Sequence, residues 1–279
     1  MQLSDLIFRQ YDIRGIVGQD LDAGVAESVG RAFGSHAKAA TGLETPRIAV
    51  GYDNRLTSPA LAEGLMRGLL STGCDVLDVG TVPTPVLYWS EVTFETDGGI
   101  QITGSHNPPE WNGIKMTLGR GSLYGDAIQD LLRRIKQDDF ESGEGARERR
   151  DVLDQYVADV AGRFQLARPM KVAVDCGNGT GALVAVRLLE AIGVEVTPLF
   201  CDSDPTFPNH HPDPTVDENL DDLVRTVRET PHDLGVAFDG DADRIGAVDE
   251  NGEIVRGDTL LLLYGLDVLD KHGPGQQLV

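Results

Sequence analysis

Short β-branched runs alternate with helix-period stretches along most of this chain, and that rhythm restricts the fold more than any single motif does. "RIAVGYD" (47–53) is followed by an amphipathic stretch from Ser58 to Gly73 and then by "DVLDVG" (75–80). Further on, "KVAVDCGNG" (171–179) leads into a helical segment from Gly181 to Ile192, "VEVTPLF" (194–200), a second helical segment near Asp217–Glu229, and "DLGVAFDGD" (233–241). Strands that alternate with helices predict parallel α/β layers. At 279 residues the chain suits two such domains, each able to bury its own core. The polar text "DDFESGEGARERRD" (138–151) has no apolar periodicity to bury and marks a linker or exposed turn between them. The second set echoes the first in layer order, with no repeat at the level of letters. A final helical stretch, Thr259 to Lys271, runs toward "GPGQQLV", where another strand begins. The predicted fold class is thus α/β: two consecutive layered domains with mixed, mainly parallel sheets over 1–150 and 151–256, and the opening of a third over 257–279.

Charge narrows the partners. Lysine and arginine total 24 against 45 aspartates and glutamates, a net charge of −21, which works against nucleic acid and anionic membranes as partners. An anionic substrate would then depend on a few locally placed cations. The stretch from Met1 to Arg14 lacks the apolar core and cleavage site of a signal peptide, and no apolar run is long enough to span a bilayer, so a cytoplasmic address is expected. Cys74, Cys176 and Cys201 are odd in number, widely spaced and set among apolar residues. They read as buried thiols rather than a disulfide or a metal knot, and no redox chemistry is expected of them. Nothing in the sequence speaks to oligomeric state.

Three loops carry chemistry. In "FDGDADRIG" (238–246), Asp239, Asp241 and Asp243 occupy alternate positions after an apolar strand. Alternate side chains of an extended or curled segment converge on one side, where three oxygen ligands suit a small hard cation such as magnesium. The calcium helix–loop–helix reading fails, because Arg244 stands where glycine is required and strands flank the loop. In "GIQITGSHNPPEWNGIKM" (99–116), Gly104 is expected to turn the backbone and Pro108 and Pro109 to stiffen the exit, holding Ser105 out at a loop tip. A hydroxyl so presented needs a dication to neutralise transferred charge and a nearby acid or base, for which Lys115 and His106 are candidates. A serine-hydrolase elbow is excluded, since its second glycine is missing and a Pro-Pro follows. His106, like His210 and His211 in "NHHPDP", reads better as a loop-shaping residue than as a general base.

The third loop, "CGNGTGA" (176–182), offers a competing function. Gly177, Gly179 and Ala182 fit a dinucleotide fingerprint between strand and helix, with Asp202 some way beyond. An NAD-dependent oxidoreductase would leave both the serine loop and the aspartate trio unexplained, so a packing turn is the preferred reading. A non-catalytic metal- or sugar-phosphate-binding module is a third possibility. At the N-terminus, "FRQYDIRGIVG" (8–18) adds Arg14, a fork suited to phosphate, and Tyr11 close to it.

Together, "YDIRG", "TGSHNPPEWNGIK", "DCGNG" and "FDGDADR" resemble the α-D-phosphohexomutases, most of all the bacterial phosphomannomutase/phosphoglucomutase branch, from Phe8 to about Asp267. The resemblance implies an intramolecular phosphotransferase that interconverts hexose 1-phosphate and hexose 6-phosphate through a phosphoserine and a bisphosphate intermediate. It implies that Ser105 carries the phosphate, that Asp239, Asp241 and Asp243 hold magnesium beside it, and that Lys115 and Arg14 assist proton transfer and phosphate binding. It places Tyr11, Arg244, His106 and Asn107 at the hexose phosphate substrate. Family members resemble a four-domain heart whose third and fourth domains read the sugar hydroxyls and clamp the distal phosphate. Neither of those segments is present here, so weak or absent mutase turnover is expected of this polypeptide alone.

Overall fold

The computed structural model describes residues 3–275. The first half comprises β1 (Ile13–Ile16), α1 (Ala23–Thr41), β2 (Arg47–Tyr52), α2 (Ser58–Ser71), β3 (Asp75–Thr81), α3 (Thr84–Thr93), β4 (Gly98–Ile102), β5 (Trp111–Leu118), β6 (Gly121–Ser122), α4 (Asp126–Gln137) and β7 (Arg147–Arg149). Its sheet runs β1-β5-β4-β2-β3-β7, with β6 beside β5. The centre, β4-β2-β3-β7, is parallel, whereas β5 lies antiparallel to β1, β4 and β6. The second half comprises α5 (Leu153–Ala161), β8 (Met170–Asp175), α6 (Ala185–Ala191), β9 (Val194–Leu199), α7 (Asp221–Glu229), β10 (Leu234–Phe238), β11 (Ile245–Val248), β12 (Ile254–Val255) and α8 (Gly257–His272). Its sheet runs β12-β11-β10-β8-β9, parallel across β10-β8-β9 and antiparallel at the other edge. The mixed, parallel-rich α/β class read from the sequence is what the chain adopts.

Central strands that face helices on both sides have no solvent face, which is why they read as unbroken apolar runs. Ile48, Ala49 and Val50 of β2 and Ile100 and Ile102 of β4 are fully buried. Against one face of the first sheet, α1 and α2 pack so closely that glycine is required at the crossing. A Cβ on Gly64 would lie 2.2 Å from the Ala23 carbonyl oxygen, and one on Gly68 2.1 Å from that of Glu27.

The stretch expected to be an exposed linker is more ordered than its composition suggests. Arg147–Arg149 adds a parallel edge strand to β3. The cause is Asp78, wholly buried, whose carboxylate accepts from Arg147 (2.7 Å), Arg149 (2.7 Å) and the Gly80 amide (3.0 Å). A buried charge needs partners, and a polar strand supplies them. The two halves meet through α3 and α5: Trp89 donates its indole N–H to Asp159 (2.6 Å) and stacks edge-on against Tyr156. Apolar residues from both halves, including Leu77, Val86, Val157 and Val184, share one buried cluster at that seam. The helix expected over Gly181–Ile192 begins as a 3-10 turn, Thr180–Leu183, before α6. The strand expected to begin in the last residues lies outside the described ones. No helix among the described residues is long and apolar enough to cross a membrane.

Gly68→Ala should therefore destabilise the first half by about 1–3 kcal/mol in urea unfolding. The gain in helix propensity, up to ~1 kcal/mol, does not offset contact with an immovable carbonyl.

Candidate active site

The serine loop spans the gap between the antiparallel neighbours β4 and β5. Ser105 itself, not Gly104, takes the left-handed backbone conformation, with φ of 49°, an unfavourable choice for a residue with a Cβ. Gly104 is needed for a different reason: a Cβ there would sit 2.3 Å from the Arg55 guanidinium. Arg55 is 2% exposed and holds the loop through its carbonyls. Nη2 donates to Ser105 O (2.9 Å) and Asn107 O (2.6 Å), and Nη1 to Pro108 O (2.7 Å) and Trp111 O (3.1 Å). Its counter-ion is Asp53, with Nε 3.3 Å from a carboxylate that also accepts from the Gly104 amide at 2.9 Å and from Ser58. Burial pushes the Asp53 pKa up, against the opposing pull of Arg55.

Ser105 sits at a loop tip as expected, yet it is buried rather than displayed, 1% exposed, because the second half closes over it. Its Oγ donates to Asp239 Oδ2 at 2.7 Å and lies 3.2 Å from His106 Nδ1. Asp239 opens a curl after β10. Its Oδ1 accepts the amides of Asp243 and Arg244, both at 3.1 Å, while Ala242 takes φ of 57°. The curl brings one carboxylate oxygen from each of Asp239, Asp241 and Asp243 within 4.8 Å of one another. Asp241 Oδ2 accepts from Thr84 Oγ1 (2.6 Å) and Lys115 Nζ (2.7 Å), and Lys115 also donates to Asp243 (2.6 Å).

Electrostatics follow from this crowding. Burial, then the charges of Asp241 and Asp243, pushes the Asp239 pKa up to about 7. Burial opposes ionisation of Asp241, but Lys115 outweighs it and holds Asp241 low. Burial likewise works against the Lys115 charge, and Asp241 with Asp243 more than reverses it, leaving Lys115 an ammonium with its pKa raised. It can donate a proton or a hydrogen bond; it is no base in this arrangement. The trio also fits a hard cation by an independent observation: among the described residues, Asp241 Oδ1 is buried with no hydrogen-bond partner, an unsatisfied oxygen of the kind that folded proteins seldom leave.

The remaining sequence-derived residues divide. His106 lies at the centre, its pKa lowered by burial and then by Arg244. Asn107 has its carbonyl on Arg55 while its Nδ2 is buried and unpartnered. Arg14, on β1 beside β5, donates to Asp12 at 2.6 Å, and its charge reaches His106 and Arg55. Tyr11 is 74% exposed and Arg244 is exposed at the rim. The "NHHPDP" loop is a brace: His211 bonds through Nε2 to the His106 carbonyl, and His210 Nε2 lies 3.0 Å from the buried Asp175. Two residues escaped sequence reasoning. Arg55 acts on carbonyls, which leave no trace in side-chain spacing, although the buried-looking "YDNR" at the end of a strand was an available signal. Thr84 meets Asp241 across the seam between the halves. The "CGNGTGA" turn is filled by protein: a Cβ on Gly179 would lie 2.6 Å from Gly240 O, and Thr180 donates to that same oxygen. Its glycines serve packing between the two loops.

Against known families, residues 5–142 match the model described as phosphoglucomutase/phosphomannomutase, alpha/beta/alpha domain I, and residues 154–252 match domain II of the same set. The chain belongs to the phosphoglucomutase/phosphomannomutase family. It is 47% identical over 277 residues to a phosphomannomutase/phosphoglucomutase of Pseudomonas putida, covering 99% of this chain and 59% of that protein. It is 46% identical to a phosphoglucomutase of Neisseria meningitidis, covering 98% and 59%. The crystal structure of a family protein from Burkholderia thailandensis superposes with a TM-score of 0.92 at 46% identity, covering 97% of this chain and 60% of that one. The chain thus spans about three fifths of the length of these relatives.

Two outcomes test the architecture of the site. Arg55→Met strands the buried Asp53 and should cost about 3–5 kcal/mol in urea unfolding, the range for breaking a buried ion pair. His210 has its pKa raised above the usual 6.5 by its bond to Asp175. Its stabilisation is complete below about pH 6.5 and is lost as pH rises through the higher folded-state value. The wild-type chain should therefore lose more thermal stability than His210→Asn when pH is raised from about 6 to 8, the window opened by an ordinary His pKa near 6.5; parallel pH curves would remove the His210–Asp175 pair from the account.

Proposed function

We propose that this chain carries the phosphoryl-transfer centre of a phosphohexomutase that interconverts hexose 1-phosphate and hexose 6-phosphate by way of a phosphoserine and a bisphosphate. The observation that supports this most is the 2.7 Å contact between Ser105 Oγ, from one half, and Asp239, from the aspartate curl of the other. Phosphoryl transfer depends chiefly on positioning and charge neutralisation, and both meet at that point.

In this reading Ser105 carries the phosphate. Asp239, Asp241 and Asp243, with an oxygen of the phosphoserine, hold a divalent cation, for which the all-oxygen donor set favours magnesium. Such an ion supplies neutralisation of charge on the transferring group. Lys115, kept charged by Asp241 and Asp243, protonates the serine oxygen as the phosphate departs and takes the proton back on return. Arg14 and Arg244 bind phosphate oxygens at the two sides of the cleft, and Tyr11, His106 and Asn107 contact the hexose phosphate. Arg55 is a positioning residue, since it holds the loop and touches no reacting atom. The divisions 1–150 and 151–256 correspond to the two sheets, and 257–279 to the opening of a third unit. Exposure of Leu262, Leu263 and Leu266 on α8 supports that last point, as a helix of another layer would present such a face. A cytoplasmic setting with a small anionic substrate, and with neither nucleic acid nor membrane as partner, accords with the net charge of −21.

Incubation with hexose 1,6-bisphosphate and magnesium should add one phosphoryl group to the wild-type chain by intact mass, and none to Ser105→Ala. Chelation of the metal should abolish the gain, and Lys115→Met should slow it roughly 10²–10⁴-fold, the usual worth of a positioned acid. A phosphate that persists in Ser105→Ala would place the nucleophile elsewhere.

A further inference from the structure

Of the three cysteines, read from the sequence as buried thiols, two come together. Cys176 follows β8 directly and Cys201 stands two residues beyond β9, its parallel neighbour. Their Sγ atoms are 3.1 Å apart, and the Cys176 amide donates to the Leu199 carbonyl at 3.2 Å, so the backbone holds the two stems side by side. Both are free thiols. Cys176 is fully buried and Cys201 partly exposed. Cys74 is placed differently: its sulfur lies 3.6 Å from Thr72 Oγ1 and 3.7 Å from Gly34 O.

We propose that Cys176 and Cys201 are a modification site: a thiol pair oxidised by hydroperoxides to a reversible intrachain disulfide that stiffens the turn beneath the aspartate curl. Cys201, the less buried member of the pair, attacks a peroxide oxygen as the thiolate. The O–O bond breaks, hydroxide leaves and takes up a proton, and Cys201 becomes a sulfenic acid. Cys176 Sγ then attacks Cys201 Sγ, the S–S bond forms, the S–O bond breaks, and water leaves with the Cys176 proton. In total, two thiols and one hydrogen peroxide give one disulfide and two waters, with two electrons passing from sulfur to oxygen. A dithiol reductant returns them.

The position gives the link its consequence. Between the stems, Asn178 donates to Phe200 O (2.9 Å) and to Asp202 O (2.9 Å), and Asn54 of the first half binds Asn178 O (2.8 Å) and Ser203 (2.9 Å). Gly179 is packed on Gly240, and Thr180 donates to Gly240 O at 2.9 and 3.1 Å. Gly240 separates Asp239 from Asp241, so a covalent tie between the stems acts on the floor of the curl.

The test uses the full chain. After treatment with hydrogen peroxide, acid quenching and alkylation, peptide mapping should show a 176–201 cross-link with only Cys74 alkylated; dithiothreitol should restore three alkylated cysteines. Cys176→Ser and Cys201→Ser should each abolish the cross-link. Hydrogen exchange at the amides of residues 178–180 should slow at least several-fold in the oxidised chain and recover on reduction. Peroxide treatment that leaves both thiols alkylated overturns the proposal; a cross-link with unchanged exchange overturns the stiffening. Neither readout depends on the catalytic reading.

Discussion

Three carboxylates gathered in one turn, two of them buried, repel one another, and much of the surrounding structure serves to offset that repulsion. Asp239 is neutralised in part by hydrogen bonds from two backbone amides and from Ser105. Asp241 is held by Thr84 and Lys115, and Asp243 by Lys115 again. Apart from those two amides, which belong to the curl itself, the partners come from β5, from the start of α3 and from the serine loop, all in the first half. The repulsion within one half is therefore relieved by the other, which ties the halves together in addition to their apolar seam. A centre so arranged is a composite, and neither sheet alone would keep its charges in place.

A second constraint acts on the opposite wall. Ser105 adopts a backbone conformation that costs a non-glycine residue of the order of 1 kcal/mol or more. The loop tolerates it because Arg55 satisfies four of its carbonyls at once, a use of the guanidinium fork that lysine could not reproduce. Rigidity at Ser105 is thus achieved by main-chain contacts to one buried cation, with Asp53 in turn fixing that cation and the Gly104 amide. Strain at Ser105 and over-determination around it are two aspects of one arrangement.

How much of this was legible in the sequence depended on how local its cause was. The aspartate trio and the serine string are each contiguous and their chemistry lies in their spacing, whereas the meeting of Ser105, Lys115 and the aspartates was implied by the resemblance, and the structure brings them together. Strand and helix order was equally accessible, because buried parallel strands declare themselves as apolar runs. Three things were not. Edge strand β7 is polar, and it exists because Asp78 demands two arginines. Arg55 works through carbonyls at positions about fifty residues away, and Thr84 through a contact that exists only once the halves dock. Burial of Ser105 was missed for the same reason, since the loop was judged without the half that covers it. The exchange of roles between Gly104 and Ser105 is instructive: glycine suggested a turn, whereas it provides space for a guanidinium.

The division of labour at Asp241 connects fold and chemistry most closely. One oxygen, Oδ2, is committed to Thr84 and Lys115, and the other, Oδ1, is buried without a partner among the described residues. A carboxylate offers about four lone-pair sites across its two oxygens, so the same side chain can keep Lys115 protonated through one oxygen and present the other to a cation. If both oxygens were engaged by protein donors, a cation would have to displace Lys115 or Thr84 to reach the side chain. Leaving Oδ1 unsatisfied costs stability, of the order of 1–3 kcal/mol for a buried polar atom. A hard cation bound at Oδ1 would remove that cost while Oδ2 kept its bond to Lys115, so the two demands on this side chain are compatible.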